Sequence, residues 1–402
     1  MERRNDMYTG MFLYPWDLAD EGTDTVMDRL REAGINTAVL AGSYHAGKFL
    51  RPHAPGSRVY FPADGTVYFR PNLGRYRDTP LRPLMNPLVE RYDGFEALVR
   101  RRAGGLDVAA WMVTLHNTRL GTAHPGCVAR NAYGDPYFYS LCPSHPEVRA
   151  YPVALLADLT ASYDVQRVVI EAPGFLPYAH GFHHEFSLVE PNPWCSALLA
   201  LCFCPACLRR AEAAGLDGRH IAGTVRDALD AFYRAPLLPT PSERQALYWM
   251  LTDLLREPGL TAYLAVRTET VTSLVAEARA ALPRTVRLSV IPTVSQPIGH
   301  AWLDGADLAR LAEHVDALEV LAYRPTPSEV AADLWWAHRL IGARARLHVV
   351  LRPAHPDAAD EANLAAKVRI ARESGAEGVS FYNYGHIRSG HLTWIRNALA
   401  GG

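Results

Sequence analysis

The sequence predicts an α/β chain folded as a (β/α)8 TIM barrel with a long insertion after strand 4. Three observations carry that reading. Short apolar runs of strand length alternate with amphipathic runs of helix length along the chain, the pattern of βαβ units feeding a parallel sheet. Eight such units can close on themselves and leave no exposed sheet edge. The first run leads into Tyr14-Pro15-Trp16-Asp17, where an open doubly wound sheet would carry a glycine-rich phosphate loop.

The first strand is expected at Thr9–Tyr14, followed by a helix around Asp24–Ala33. The second, Thr37–Ala41, opens a polar excursion to about Asp93, and a helix near Phe95–Arg102 precedes the third strand, Val108–Leu115. A helix from Pro146 leads to the fourth strand, Val165–Glu171, and then to an insertion at about 173–258. A helix ending near Leu282 precedes strand five, Val286–Ile291; strands six, seven and eight are Ala317–Tyr323, Leu347–Leu351 and Gly378–Tyr382. Helices near Leu308–His314, Ser328–Ile341, Asp360–Ser374 and Leu392–Leu399 complete the units. With no solenoid repeat and no low-complexity linker, residues 1–402 read as one barrel domain, the insertion included.

Composition narrows the function classes. The chain is 49% hydrophobic and 21% charged with a net charge of −1, so nothing points to nucleic acid or an anionic membrane. No run reaches the roughly 18 apolar residues of a membrane span, and the N-terminus lacks a signal-peptide core. A cytoplasmic location is expected, with a small-molecule partner; a homo-oligomer stays open.

The strand ends, where barrels place their chemistry, are polar and aromatic. They offer Trp16 and Asp17; Tyr44, His45 and Lys48; His116 and Asn117; Glu171; Tyr323; Arg352; and Tyr382 and Asn383. Flat rings with directional hydrogen-bonding groups suit a carbohydrate, and these residues are the expected substrate-binding set. Taken singly, most of them would be ordinary loop residues. Glu171 stands out, because Val168-Val169-Ile170 carries a buried strand straight into its carboxylate. An apolar wall raises a carboxyl pKa and suits a general acid; the structural alternative is an ion pair with an arginine such as Arg352. For a second carboxylate, Glu185 in the following loop comes first, then Glu319 and Asp17. If Tyr323 faces the pocket, period two puts Glu319 on the same inward side but about two layers deeper, where a structural partnership with an inner Arg or His is expected.

Cys202-Phe203-Cys204-Pro205-Ala206-Cys207 brings three thiols together, with Cys142 and Cys195 as candidates for a fourth. Such spacing suggests a structural zinc; the alternative is a set of small buried hydrophobes. No organic cofactor is expected.

Cys142-Pro143-Ser144, a helix, a strand ending in Glu171, and then the C-x-C-x-x-C run resemble glycoside hydrolase family 42 over roughly residues 136–210. The resemblance implies a β-galactosidase-like barrel in which Cys142, Cys202, Cys204 and Cys207 hold zinc and Glu171 is the acid/base. The chain departs from the family at Ile170, where the family has Asn, and at Val350-Leu351-Arg352-Pro353, where the family carries its nucleophile Glu. The expected function is cleavage of a small glycoside by carboxylate acid/base chemistry. Two alternatives are a barrel isomerase or lyase on a sugar-like metabolite, and a carbohydrate-binding barrel without turnover.

Overall fold

The computed structural model describes residues 7–102, 105–180, 186–189, 191–237 and 239–401. Eight parallel strands close into a barrel: β1 Tyr8–Leu13, β2 Thr37–Tyr44, β3 Asp107–Val113, β4 Arg167–Glu171, β5 Arg287–Ile291, β6 Ala317–Leu321, β7 Arg346–Leu351 and β8 Gly378–Phe381. Each strand pairs with its sequence neighbours and β8 pairs with β1. All eight expected strands are present, displaced by one to three residues at their ends.

Alternation along the strands divides the interior into two cores. In β4, Val168 and Ile170 point outward into the layer shared with the helices, while Val169 points into the barrel with Phe12, Val39, Ala109, Leu321 and Val350. Period two therefore turns Glu171 inward at the top of β4 and Arg167 inward at its foot. The outer layer is covered by helices that include Pro146–Ser162, Pro258–Ala281, Pro327–Ile341, Glu361–Glu373 and Gly390–Ala400. None of the described helices is long and apolar enough to cross a membrane.

The foot of the barrel is closed by polar groups. Glu319 and His348 are fully buried and joined at 3.0 Å. The Tyr8 ring stacks on His348 at 4.5 Å, and the Arg167 guanidinium lies 4.6 Å from the Tyr8 ring. Burial works to raise the Glu319 pKa, but the charge and hydrogen bond of His348, with Arg167, hold it below its ordinary value. Glu319 is thus sealed at the foot with His348 as its partner, the inner-histidine partnership that its depth along the strand predicts. Its neighbour Arg167 sits four residues below Glu171 on β4, a rise of about 13 Å along the strand. Substituting His348→Ala should cost about 3–5 kcal/mol in denaturant unfolding, because it strands a buried carboxylate. A loss below about 1 kcal/mol, the range of an exposed pair, would contradict this placement.

Two excursions frame the opposite end. The segment after β2, expected to be polar, folds back over the mouth: Thr66–Val67 pairs antiparallel with β2, and Tyr68, Phe69 and Tyr76 are buried. The insertion after β4 forms helices Pro193–Leu199, Pro205–Ala213, Gly218–Tyr233 and Glu243–Arg256. They pack around a core of their own that includes Trp194, Leu198, Val225, Leu229 and Tyr263.

Candidate active site

Glu171 is half-buried at the mouth. Trp111 Nε1 donates to its Oε2 at 2.6 Å. The sheet register explains the contact: Trp111 lies opposite Val169 and Val113 opposite Glu171, so Trp111 sits one inward layer below the carboxylate. Burial raises the Glu171 pKa to about 7, against the pull of the Trp111 hydrogen bond. That hydrogen bond favours the charged form, so Trp111→Phe should move the Glu171 titration to higher pH by about one unit, read by carboxyl 13C NMR. A titration that stays in place or moves down would show that Trp111 does not hold the carboxylate.

Around this carboxyl stands a wall of phenols. The hydroxyls of Tyr14, Tyr44 and Tyr382 lie within 3.0–3.2 Å of one another. Burial first, and the Glu171 charge among the further causes, pushes the Tyr44, Tyr323 and Tyr382 phenols up. They stay neutral and present hydroxyls and ring faces. The Arg352 guanidinium lies 3.9 Å from the Tyr323 ring centre and 5.8 Å from that of Tyr382. Its ion-pair partner is Asp357, at 3.3 Å, so the expected alternative of a Glu171–Arg352 pair is corrected. On the β2–β3 side, His45 stacks on Tyr44 at 4.3 Å and on His116 at 4.2 Å, and His180 meets His116 edge-on at 5.2 Å. Burial, with the His45 charge, lowers His180 to about 4 and keeps its ring neutral.

The structure thus gathers Tyr44, His45, His116, Tyr323, Arg352 and Tyr382 on the Glu171 side. Other expected binders support the wall from behind. Trp16 is buried and stacks on Tyr14 at 4.3 Å. Asp17 is fully buried, accepts from Tyr14 N at 3.0 Å and lies 3.6 Å from Arg51; burial lifts its carboxyl to about 7. Asn117 caps the helix Thr118–Ala123 by accepting from Leu120 N, and Asn383 accepts from Gly385 N. The oxygens of these side chains are spent on backbone N–H groups, as at turns and helix starts they commonly are, while Asn383 Nδ2 is buried without a hydrogen-bond partner. Lys48 is exposed on the loop after β2, and Glu185 lies outside the described residues.

Tyr14 stands at the end of strand one among the aromatic strand-end residues of the sequence, whereas Trp111, Asp357, His180 and His386 are not singled out by it. Trp111 had a signal: it is a lone large ring at an inward position of β3, and an indole N–H buried in a barrel needs an acceptor. His386, 5.6 Å from the Tyr14 ring and 6.3 Å from that of Tyr382, had none, because a turn places it.

Behind the mouth, Cys142, Cys202, Cys204 and Cys207 are all buried, with one sulfur from each within 4.8 Å of the others. Cys142 Sγ lies 3.5 Å from Cys204 and Cys207 and 3.8 Å from Cys202. Tetrahedral Zn–S bonds of about 2.3 Å set sulfurs about 3.8 Å apart, so the four residues fit a metal of that kind. Burial pushes the Cys142 and Cys207 thiols up, whereas hydrogen bonding with the other three sulfurs draws Cys204 far down. Cys195 lies apart, 3.3 Å from the Tyr233 hydroxyl.

No protein-family model and no curated protein matches the chain. Solved structures do share its fold. A β-galactosidase from the psychrophilic Marinomonas ef1 superposes with a TM-score of 0.56 at 13% identity, over 98% of this chain and 59% of that one. The PgaB (BpsB) glycoside hydrolase domain of Bordetella bronchiseptica gives 0.53 at 16% identity, over 98% and 99%. The α-L-fucosidase isoenzyme 2 of Paenibacillus thiaminolyticus gives 0.52 at 13% identity, over 99% and 49%. The chain spans about half the length of the fucosidase and somewhat more of the galactosidase. At these identities the likeness is one of fold: a (β/α)8 barrel of the kind on which these glycosidases are built.

Proposed function

We propose that the protein hydrolyses a small glycoside, with Glu171 as the proton donor to the departing oxygen. The observation that carries this is a carboxyl turned inward at the end of β4, held by Trp111 Nε1 inside a wall of phenols, where burial raises its pKa to about 7. A carboxylic acid near pKa 7 can give up its proton to a glycosidic oxygen at physiological pH and take it back from water afterwards. As the C–O bond breaks, the leaving group gains that proton and water supplies the hydroxyl at the anomeric carbon. Tyr44, Tyr323 and Tyr382 offer ring faces and hydroxyls to the sugar, and Arg352, His45 and His116 offer directional contacts. Glu185 is our candidate for the second carboxylate, since Asp17 and Glu319 are both sealed from solvent.

The metal in the four-thiol cluster is proposed to be zinc in a closed structural site, as the family-42 resemblance implies. When bound it would cross-link the β3–β4 connection, through Cys142, to the insertion, through the other three thiols. It takes no part in the reaction.

The stacked His45–His116 pair favours a second reading, an isomerase or lyase in which Glu171 and a histidine exchange protons. Hydrolysis of an aryl-glycoside panel in 18O-labelled water separates the two. We expect a free sugar carrying one 18O at the anomeric carbon. A rearranged or eliminated product without label would establish the second reading, and tight sugar binding without turnover of any panel member would make the barrel a binding protein.

A further inference from the structure

We propose that Cys127, His145 and Glu147 form a second divalent-metal site, separate from the four-thiol cluster and partly open to solvent. One ligand atom from each of the three lies within 4.8 Å of the others, with Cys127 buried, His145 half-buried and Glu147 exposed. The site is assembled by the backbone that carries Cys142. Cys142 N donates to Cys127 O at 2.9 Å, and His145 N donates to Cys142 O at 3.0 Å. His145 then caps the helix Pro146–Ser162, and Glu147 stands in its first turn.

Three features favour a cation there. Cys127 Sγ and Glu147 Oε2 are 3.9 Å apart, close to the roughly 3.6 Å that a tetrahedral ion sets between a thiolate and a carboxylate oxygen. His145 Nδ1 is sealed from solvent and has no hydrogen-bond partner, an arrangement that costs about 1–3 kcal/mol unless something accepts or donates to it. Among the described residues no Arg or Lys ion-pairs with Glu147; its Oε2 accepts only the Cys127 thiol, a proton that a cation would replace. A thiolate and a carboxylate neutralise a dication, and the helix N-terminus favours both anions.

The mixed sulfur, nitrogen and oxygen set selects a borderline ion such as Zn2+ or Co2+ over Mg2+ or Ca2+. Three protein ligands leave a fourth position for water or a small anion, unlike the closed cluster beside it.

The test is metal stoichiometry of the full-length protein, produced with supplemental Zn2+, desalted and analysed by mass spectrometry of the metal. Wild type should hold one equivalent more than Cys127→Ser and one more than Glu147→Gln, the latter on the exposed side where folding is least at risk. In Co2+-loaded protein, each substitution should remove one spectral component with weak sulfur charge transfer and leave the intense four-thiolate bands. Equal metal content in wild type and Glu147→Gln, with an unchanged Co2+ spectrum, would overturn the site.

Discussion

Glu171→Gln is expected to lower kcat/KM by about 10²- to 10⁴-fold on glycosides with poor leaving groups, the usual contribution of a positioned general acid. The substitution is close to isosteric, and the Gln side-chain oxygen can still accept from Trp111 Nε1, which holds Glu171 at 2.6 Å. What is lost is the transferable proton. The deficit should therefore shrink on dinitrophenyl glycosides, whose leaving groups need no protonation, and grow steadily as leaving-group pKa rises. Steady-state kinetics across a graded aryl series, with circular dichroism to confirm folding, reads both the loss and its slope. A uniform loss across the series would mean that Glu171 binds substrate without donating a proton.

The second large effect is expected at the cysteine cluster. Cys204 caps the helix Pro205–Ala213, and its sulfur lies 3.5 Å from Cys142. Four buried thiols cannot ionise together without a cation, and metal binding at such a site is folding free energy for the elements it joins. Cys204→Ser should abolish metal retention at this cluster and destabilise the protein by about 4 kcal/mol, a fall in Tm of about 5 °C for a chain of this size. Limited proteolysis should then cut the insertion first, because its helices pack on the core that the cluster anchors. Cys195→Ala, which removes a sulfur bonded to Tyr233 and outside the cluster, should keep its metal. Unchanged metal content and Tm in Cys204→Ser would mean that the four thiols act as packed apolar groups.

Much of this is legible in the sequence. The barrel strands announce themselves because a strand enclosed on both faces must be nearly continuous in apolar residues, as Val168-Val169-Ile170 and Leu347-His348-Val349-Val350-Leu351 are. Period two also placed Glu171 at the mouth and Glu319 at the foot, since depth along a strand is a matter of counting. What sequence could not show depends on register and turn geometry. Trp111 and Glu171 are 60 residues apart and meet because β3 and β4 pair Val113 with Glu171. Arg352 looked like a partner for Glu171 because both close strands, yet Asp357, five residues along its own loop, takes it instead. The lack of an acid at the end of strand seven was read from Arg352-Pro353, while the loop that follows folds Asp357 back beside that arginine. Asp17, Asn117 and Asn383 have the chemistry of binding groups, and local capping turned them toward the backbone.

The central claim is that burial in the aromatic mouth holds the Glu171 carboxyl protonated up to neutrality so that it can act as an acid. The pH dependence of kcat/KM on a hydrolysed glycoside with a poor leaving group tests it most directly. The account predicts a basic limb with an apparent pKa of about 7, present in wild type and lost in Glu171→Gln. Activity that holds flat from pH 6 to 9, or an identical limb in Glu171→Gln, would contradict it.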